Sequence, residues 1–296
     1  MGKSAKDKRD IYYRLAKQNG YRSRSAYKLL QIDSFFNIFS NEELNYIVDL
    51  CGAPGGWSQV SAVRSNSNSS LEKVIAVDLQ EMAPIDGVVC IHGDITSQDT
   101  INQIMKLTNS KQIDLVLCDG APDITGFNEF DVFVQKQLIL FALNIAIRLL
   151  ADQGKFVCKI FKGKHTNSIL QIISNFFAKI TIAKPKACRN ASFESFLVCE
   201  GFKKSEFLLN NSLSDKIQRE DIIYLNSLYD DENDKTLNDL NIELVQVGTE
   251  EYDSDKTYDL ETTNYTELLK AVQAPINPPY KKYIDSIKGA TINTNK

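Results

Sequence analysis

The chain has 296 residues, 43% of them apolar and 24% charged, a makeup that excludes disorder throughout. Its longest apolar run, Leu138 to Leu150, is interrupted by Asn144 and Arg148 and falls short of the roughly 18 to 20 residues of a membrane span. The net charge of −4 hides a division: residues 1–28 carry nine Lys or Arg against Asp7 and Asp10, whereas residues 206–267 carry seventeen acids against four bases, so the local basic arm, not the acidic total, bears on nucleic acid binding.

The stretch Met1 to Gly20 is charged and has no apolar segment of the kind a signal peptide needs, and Lys6 stands where myristoylation wants Ser or Thr. An intracellular, cytoplasmic protein with no membrane contact is expected. Cys51, Cys90, Cys118, Cys158, Cys188 and Cys199 are never closer than eleven positions, and His92 and His165 are far apart. That spacing suits buried reduced thiols and leaves no zinc pattern and no metal site.

The first predicted element is an amphipathic helix over Ser23–Phe36, with serines at its start and Ala26, Leu29 and Leu30 at helical spacing. From there short β-branched runs alternate with longer helical stretches. Strands are predicted at Tyr46–Leu50, Lys73–Val77, Gly87–Ile91, Ile113–Cys118, Lys155–Phe161, Lys179–Ala183 and Phe193–Cys199, and helices at Gly56–Ser65, Asp99–Leu107, Glu129–Leu150 and Thr166–Phe177. Such alternation implies an α/β fold, a largely parallel sheet with helices on both faces. The connection Lys184–Ser192 is too short for a parallel crossover, so the seven-stranded sheet should end in an antiparallel strand. Ser65–Ser70 reads as a polar loop. Beyond Gly201 Asn and Asp become frequent and aliphatic strands vanish. A core over 1–202 with its basic arm (1–28) is therefore expected to carry a partly ordered acidic extension over 203–296, with short helical pieces near Tyr258–Val272 and Pro279–Ile287.

The strongest local pattern is Asp49-Leu50-Cys51-Gly52-Ala53-Pro54-Gly55-Gly56-Trp57-Ser58-Gln59, between the first strand and a helix, where open α/β sheets bind ligands. Gly55 and Gly56 let a ligand approach the backbone, and the helix amides suit a carboxylate. The pattern is not G-x-G-x-x-G, which disfavours a dinucleotide. Asp78 ends the second strand, where a carboxylate accepts both hydroxyls of a ribose, and Asp94 follows the third, placed for an adenine amino group. A nucleoside with an amino-acid tail fits this set, and S-adenosylmethionine fits it better than NAD. Each element alone is a turn or a cap; the set in strand order carries the argument.

A second group is Lys28, Asp119, Lys159 and Glu194. Asp119 follows the fourth strand, Lys159 interrupts the apolar run Phe156–Phe161, and Glu194 opens the last strand. A lysine in a buried strand is costly unless paired or used, the structural alternative being a buried Lys159–Glu194 salt bridge.

On these residues the chain resembles the FtsJ-type RNA ribose 2′-O-methyltransferases, which share the Pro-Gly-Gly-Trp loop and a Lys-Asp-Lys-Glu tetrad. The likeness runs from about Lys3 to Gly201. It implies the Rossmann-like methyltransferase fold, S-adenosylmethionine as cofactor at Gly55, Gly56, Trp57, Asp78, Asp94 and Asp119, and the tetrad Lys28, Asp119, Lys159, Glu194 as catalytic group. The segments Gly2–Asp10, Asp119-Gly120-Ala121-Pro122-Asp123-Ile124-Thr125-Gly126 and Lys159–Gly163 look closest to the eukaryotic tRNA anticodon-loop branch, which implies nucleotides 32 and 34 and separate helical-repeat and WD-repeat partner proteins. Gly52 departs from the alanine of many relatives, and for the acidic extension after Gly201 the likeness offers no function.

In the reaction so implied, Lys159 would be the general base for a ribose hydroxyl. Lys28 and burial would lower its pKa; Asp119 and Glu194 would oppose that shift, so their expected role is orientation and proton relay. Lys3, Lys6, Lys8, Arg9, Arg14, Lys17, Arg22 and Arg24, interleaved with Tyr12, Tyr13 and Tyr21, would track phosphates and stack on unpaired bases, extended by Lys162, Lys164, Lys184, Lys186 and Arg189. The rivals are a ribosomal RNA or mRNA cap 2′-O-methyltransferase and a catalytically silent RNA-binding scaffold.

Overall fold

The computed structural model describes residues 10–39, 44–65, 73–122, 128–204, 219–229, 236–249, 251–259 and 272–273. Lys3, Lys6, Lys8, Arg9 and Asp123, and most of the expected loop Ser65–Ser70 and of the expected helices at Tyr258–Val272 and Pro279–Ile287, lie outside the described residues.

In chain order the elements are α1 (Ile11–Gln18), α2 (Ala26–Phe36), β1 (Ile47–Leu50), α3 (Gly56–Ser65), β2 (Val74–Asp78), β3 (Val88–His92), α4 (Gln98–Leu107), β4 (Ile113–Cys118), α5 (Asn128–Leu149), β5 (Leu150–Phe161), α6 (Thr166–Ser174), β6 (Phe177–Pro185), β7 (Glu194–Phe202), α7 (Arg219–Ser227) and β8 (Glu243–Val247). The strands form one sheet in the order β3-β2-β1-β4-β5-β7-β6-β8. β1 through β5 pair in parallel, β7 runs antiparallel between β5 and β6, and β8 joins β6 in parallel. This is the α/β Rossmann-like arrangement, with two apolar cores, one on each face of the sheet. β1, β2 and β4 are short β-branched runs because both their faces are covered.

The last of the seven expected strands, β7, is antiparallel as its short connection implies, and it lies between β5 and β6. Two features differ from the sequence expectation. An eighth strand, β8, comes from the stretch set apart as an acidic extension; it is an edge strand whose burial is confined largely to Val247, so its apolar signal is weak. The basic arm contains α1, capped by Asp10, whose carboxylate accepts from Tyr13 N, and buried along Ile11, Tyr12, Arg14 and Ala16.

α5 has 22 residues, and its part Asp131–Leu149 is long and apolar enough to cross a bilayer by length and composition. It is a core helix: Ile139, Leu140, Ala142, Leu143, Ile145, Ala146 and Ile147 are buried in the core that covers one face of the sheet.

Candidate active site

Parallel strands that share an edge deliver their C-terminal residues to one place. Asp119 follows Cys118, which pairs with Cys158, so Lys159 stands beside it on β5. β7 runs back along β5 with Lys159 opposite Phe196 and Phe161 opposite Glu194. The two-residue pleat therefore puts Lys159 and Glu194 on one face, a diagonal apart. Lys28 reaches the same point from the third position of α2.

The four groups meet. Lys159 Nζ lies 3.1 Å from Asp119 Oδ1 and 3.2 Å from Glu194 Oε1, and it also faces the Asp119 carbonyl at 3.4 Å. Lys28 Nζ donates to Glu194 Oε1 at 2.5 Å. Ser25, at the start of α2, donates through Oγ to Asp119 Oδ2. The Gln135 amide on α5 donates to the carbonyls of Gly120 and Lys159, at 3.1 and 3.0 Å. Lys184 Nζ donates to the carbonyls of Ser192 and Glu194, at 2.6 and 2.7 Å, which pins the turn carrying Glu194. Sequence reasoning gave Ser25 and Gln135 no place in the site. Ser25 is visible as a helix-start serine, whereas Gln135 is hidden in an apolar helix.

The electrostatics reverse one expectation. Burial does act to lower the Lys159 pKa, but the carboxylates of Asp119 and Glu194 outweigh it, and the ammonium is held above its ordinary value. Glu194 is pushed the other way: burial would raise it, but Lys28 and Lys159 bring it down to about 2. The opposition expected from the two carboxylates prevails, and the charge of Lys28 is set against Glu194. A carboxyl with so low a pKa holds charge and not a proton, so Glu194 suits orientation and not the relay expected of it.

Beside this cluster lies the glycine loop. Gly55 has φ +110°, which only glycine adopts without strain. A Cβ on Gly55 would run into Ile85, and one on Gly56 into Ser23. Gly56 thus lets the segment ahead of α2 pack on the loop, and Gly55 lets Ile85 approach it, with Arg22 alongside. Arg22 closes that contact through the carbonyls of Pro54, Ala83 and Pro84. Trp57 is 2% exposed, rests on Phe196 and donates from Nε1 to the Ser25 carbonyl at 2.9 Å; its ring belongs to the core and leaves only its backbone for a ligand.

Asp78 is half-buried at the end of β2, accepts from Ala53 N and Gln80 N, and is raised by burial. Asp94 is half-buried after β3, its Oδ1 taken by the amide and hydroxyl of Thr96. A buried acid that sequence reasoning passed over, Asp49, accepts from Ser58 Oγ at 2.5 Å, leaves Oδ1 without a partner, and is pushed up by burial to about 7. The donor set along this edge fits a nucleoside with an amino-acid tail. It offers carboxylates after β2 and β3, a helix N-terminus after β1, and an unpartnered buried carboxylate oxygen beneath the loop.

Residues 21–202 match the FtsJ-like methyltransferase family. The chain belongs to that family. Among its relatives, the tRNA (cytidine(32)/guanosine(34)-2′-O)-methyltransferase of Homo sapiens is 42% identical over 291 residues, 95% of this chain and 84% of that protein. The protein of the same name in Schizosaccharomyces pombe is 40% identical over 96% of this chain and 97% of its own. The 27S pre-rRNA (guanosine(2922)-2′-O)-methyltransferase of Saccharomyces cerevisiae is 39% identical over 68% of this chain and 23% of its own. A crystal structure of a ribosomal RNA methyltransferase from Plasmodium falciparum superposes with a TM-score of 0.55 at 25% identity, over 62% of this chain and 98% of that one. In this FtsJ-like chain the matched segment ends with β7, before α7 and β8.

The expected RNA-tracking residues divide. Arg14 is fully buried and Arg24 is held by Asp10 and the Ala187 carbonyl. Tyr12 is buried against Tyr27, with its hydroxyl on the Tyr252 carbonyl. Arg14 and Tyr12 are turned into the fold and away from RNA, and Arg22 and Arg24, though partly exposed, are tied down by carbonyls and Asp10. Their sequence signature is the same as that of an exposed basic arm, which is why the two were not told apart.

Proposed function

We propose that this protein is an S-adenosylmethionine-dependent tRNA ribose 2′-O-methyltransferase that acts in the anticodon loop on cytidine 32 and guanosine 34. The observation that carries the reading is the meeting of Lys28, Asp119, Lys159 and Glu194 within hydrogen-bonding distance beside the glycine loop. The identity of 42% with the human tRNA enzyme along 95% of the chain supports the substrate.

Asp78 and Asp94 would hold the nucleoside, and the loop backbone at Gly55, Gly56 and Trp57 the amino-acid tail, with Asp119 beside the tetrad. A bound S-adenosylmethionine supplies a methyl group on a good leaving group, so the chain's own task lies with the nucleophile. Lys159 is the base that takes the proton of the ribose 2′-hydroxyl. Asp119 and Glu194 fix its amine in place, and Lys28 keeps Glu194 ionised and orients it. Placement of the hydroxyl supplies much of the remaining rate. Six unpaired cysteines suit a reducing compartment, the cytoplasm. The reading extends to a helical-repeat and a WD-repeat partner that direct the enzyme to its two nucleotides, as the family likeness implies.

The test is labelled methyl transfer to tRNA, ribosomal RNA and capped RNA, with the products digested to nucleosides. Wild type should label tRNA. Lys159→Ala should lose about 10²- to 10⁴-fold in rate while binding S-adenosylmethionine as before. Label confined to ribosomal or capped RNA overturns the substrate, and loss of cofactor binding with the lysine would make Lys159 structural.

A further inference from the structure

An enzyme that reaches a 2′-hydroxyl in a loop must hold the nucleotide still, and the aromatic side chains of the N-terminal arm and the glycine loop do not all serve. Tyr12 is buried and Trp57 rests on Phe196. Phe193 is different. It is 66% exposed, and it immediately precedes Glu194, whose side chain turns inward to Lys28 and Lys159.

Its backbone is fixed on every side. Its carbonyl accepts from Lys162 N at 3.0 Å, and Ser192 N donates to the Arg189 carbonyl at 3.0 Å. Lys184 Nζ grips the carbonyls on either side of it, those of Ser192 and Glu194. Glu194 N donates to Ser192 Oγ at 3.1 Å. A large apolar ring in water costs solvation, and a rigid presentation of it one residue from the tetrad has no packing purpose in the fold. The adjoining surface is basic: Lys162 lies across the strand pair, and Lys164, exposed, follows it. A fixed ring beside positive charge is how proteins hold unpaired bases, the ring giving a face to stack on and the lysines meeting the phosphates.

We propose that Phe193 is the stacking platform for the base of the nucleotide whose ribose is methylated, with Lys162 and Lys164 on the adjoining phosphates. The inference rests on the function proposed above and adds a substrate-binding residue to it. Stacking sets the base so that its ribose hydroxyl faces Lys159, and it tolerates more than one base because every base has a π-face, as action on a cytidine and a guanosine requires.

The experiment uses the full chain and an anticodon stem-loop RNA with 2-aminopurine in place of guanosine 34, together with methyl transfer to unmodified tRNA. Wild type and Phe193→Trp should quench the 2-aminopurine fluorescence, and Phe193→Ala and Phe193→Leu should not. The KM for tRNA should rise by about 5- to 100-fold in Phe193→Ala and kcat should fall with it, because the hydroxyl is no longer set toward Lys159, while the S-adenosylmethionine Kd stays as in wild type. A Phe193→Leu variant equal to wild type would overturn stacking in favour of simple apolar contact. Quenching retained in Phe193→Ala would place the base elsewhere. Active wild type with an unaltered alanine variant rejects the platform alone, whereas quenching by a wild type that methylates no RNA supports the platform and rejects the reaction.

Discussion

Lys159 sits among three acceptors, two of them carboxylate oxygens, so its proton is held more tightly than that of a free lysine. In the proposed reaction only the neutral amine is a base. With the pKa raised, the neutral fraction is small at pH 7 and grows with pH throughout the range in which the protein is folded. The kcat should therefore climb from pH 7 to about 10 without levelling off. Glu194→Gln removes one of the two carboxylates that raise Lys159, so the rising limb should move to lower pH even as the maximum rate falls. A pH profile with a plateau near 8 in the wild type would contradict this.

Asp49 is also raised, but chiefly by burial. Its folded pKa, about 7, is above the value of 3.8 for an unperturbed carboxyl. The folded state therefore keeps a proton that the unfolded state gives up, and stability on this account is full below about pH 4 and lost as pH rises to 7. Asp49→Asn should be at least as stable as wild type at pH 8, with a flatter dependence of Tm on pH between 4 and 7. A lower Tm at pH 8 would count against burial as the cause. That Asp49 lies within a buried strand was legible in the sequence; that it lies beneath the glycine loop on Ser58 was not, since Ser58 is one polar residue in a helix start like many others.

At the scale of elements, the sequence allowed each strand from β1 to β7 to be located, because each is a short apolar run; the central β1, β2 and β4 are nearly all buried, and only the start of β5 lies well ahead of the expected Lys155, at Leu150. The position of β7 between β5 and β6 was not legible, for a short connection dictates antiparallel pairing but not which neighbour lies beyond. The tetrad residues were legible because a lysine in β5 and an acid at the head of β7 violate the apolar pattern around them. What brings them together, α2 on α3 and Ser25 on Asp119, depends on glycines whose role is steric. Gly55→Ala forces a positive φ on a side chain and drives its Cβ into Ile85. It should destabilise the fold by about 1–3 kcal/mol, and methyl transfer should fall with it, because the same Cβ crowds Arg22, which ties the segment ahead of α2 to the loop. Thermal unfolding together with methyl transfer would read both losses. An unchanged Tm would mean that the loop rearranges freely.

Over the whole molecule, the two charged ends meet. The sequence reading separated the acidic extension from the core after residue 202. The described parts of that extension instead add β8 to the sheet and lay residues 251–259 along α1. Arg14 is the centre of the contact, fully buried and donating to the carbonyls of Asp259 and Tyr258 at 2.7 and 2.9 Å. Tyr12 carries it inward, since Gln31 Nε2 donates to its hydroxyl and Gln31 Oε1 accepts from Ala187 N. Ser254 and Asp255 bind the other side, at the Cys188 carbonyl and Asn190 N. The strap thus joins α2, which bears Lys28, to the loop before Glu194. Such a role is invisible in composition, because main-chain carbonyls, not the acidic side chains, receive the arginine. Loss of the guanidinium strands two acceptors, and hydrogen bonds to a charged group are worth about 1.5–3 kcal/mol. Arg14→Ala should lower the Tm and make Lys256 a trypsin site while β1 through β7 stay resistant. Arg14→Lys, with one compact head for two carbonyls, should fall between. If the strap is cut no faster in Arg14→Ala than in wild type, the extension is held by its other contacts and Arg14 is only buried.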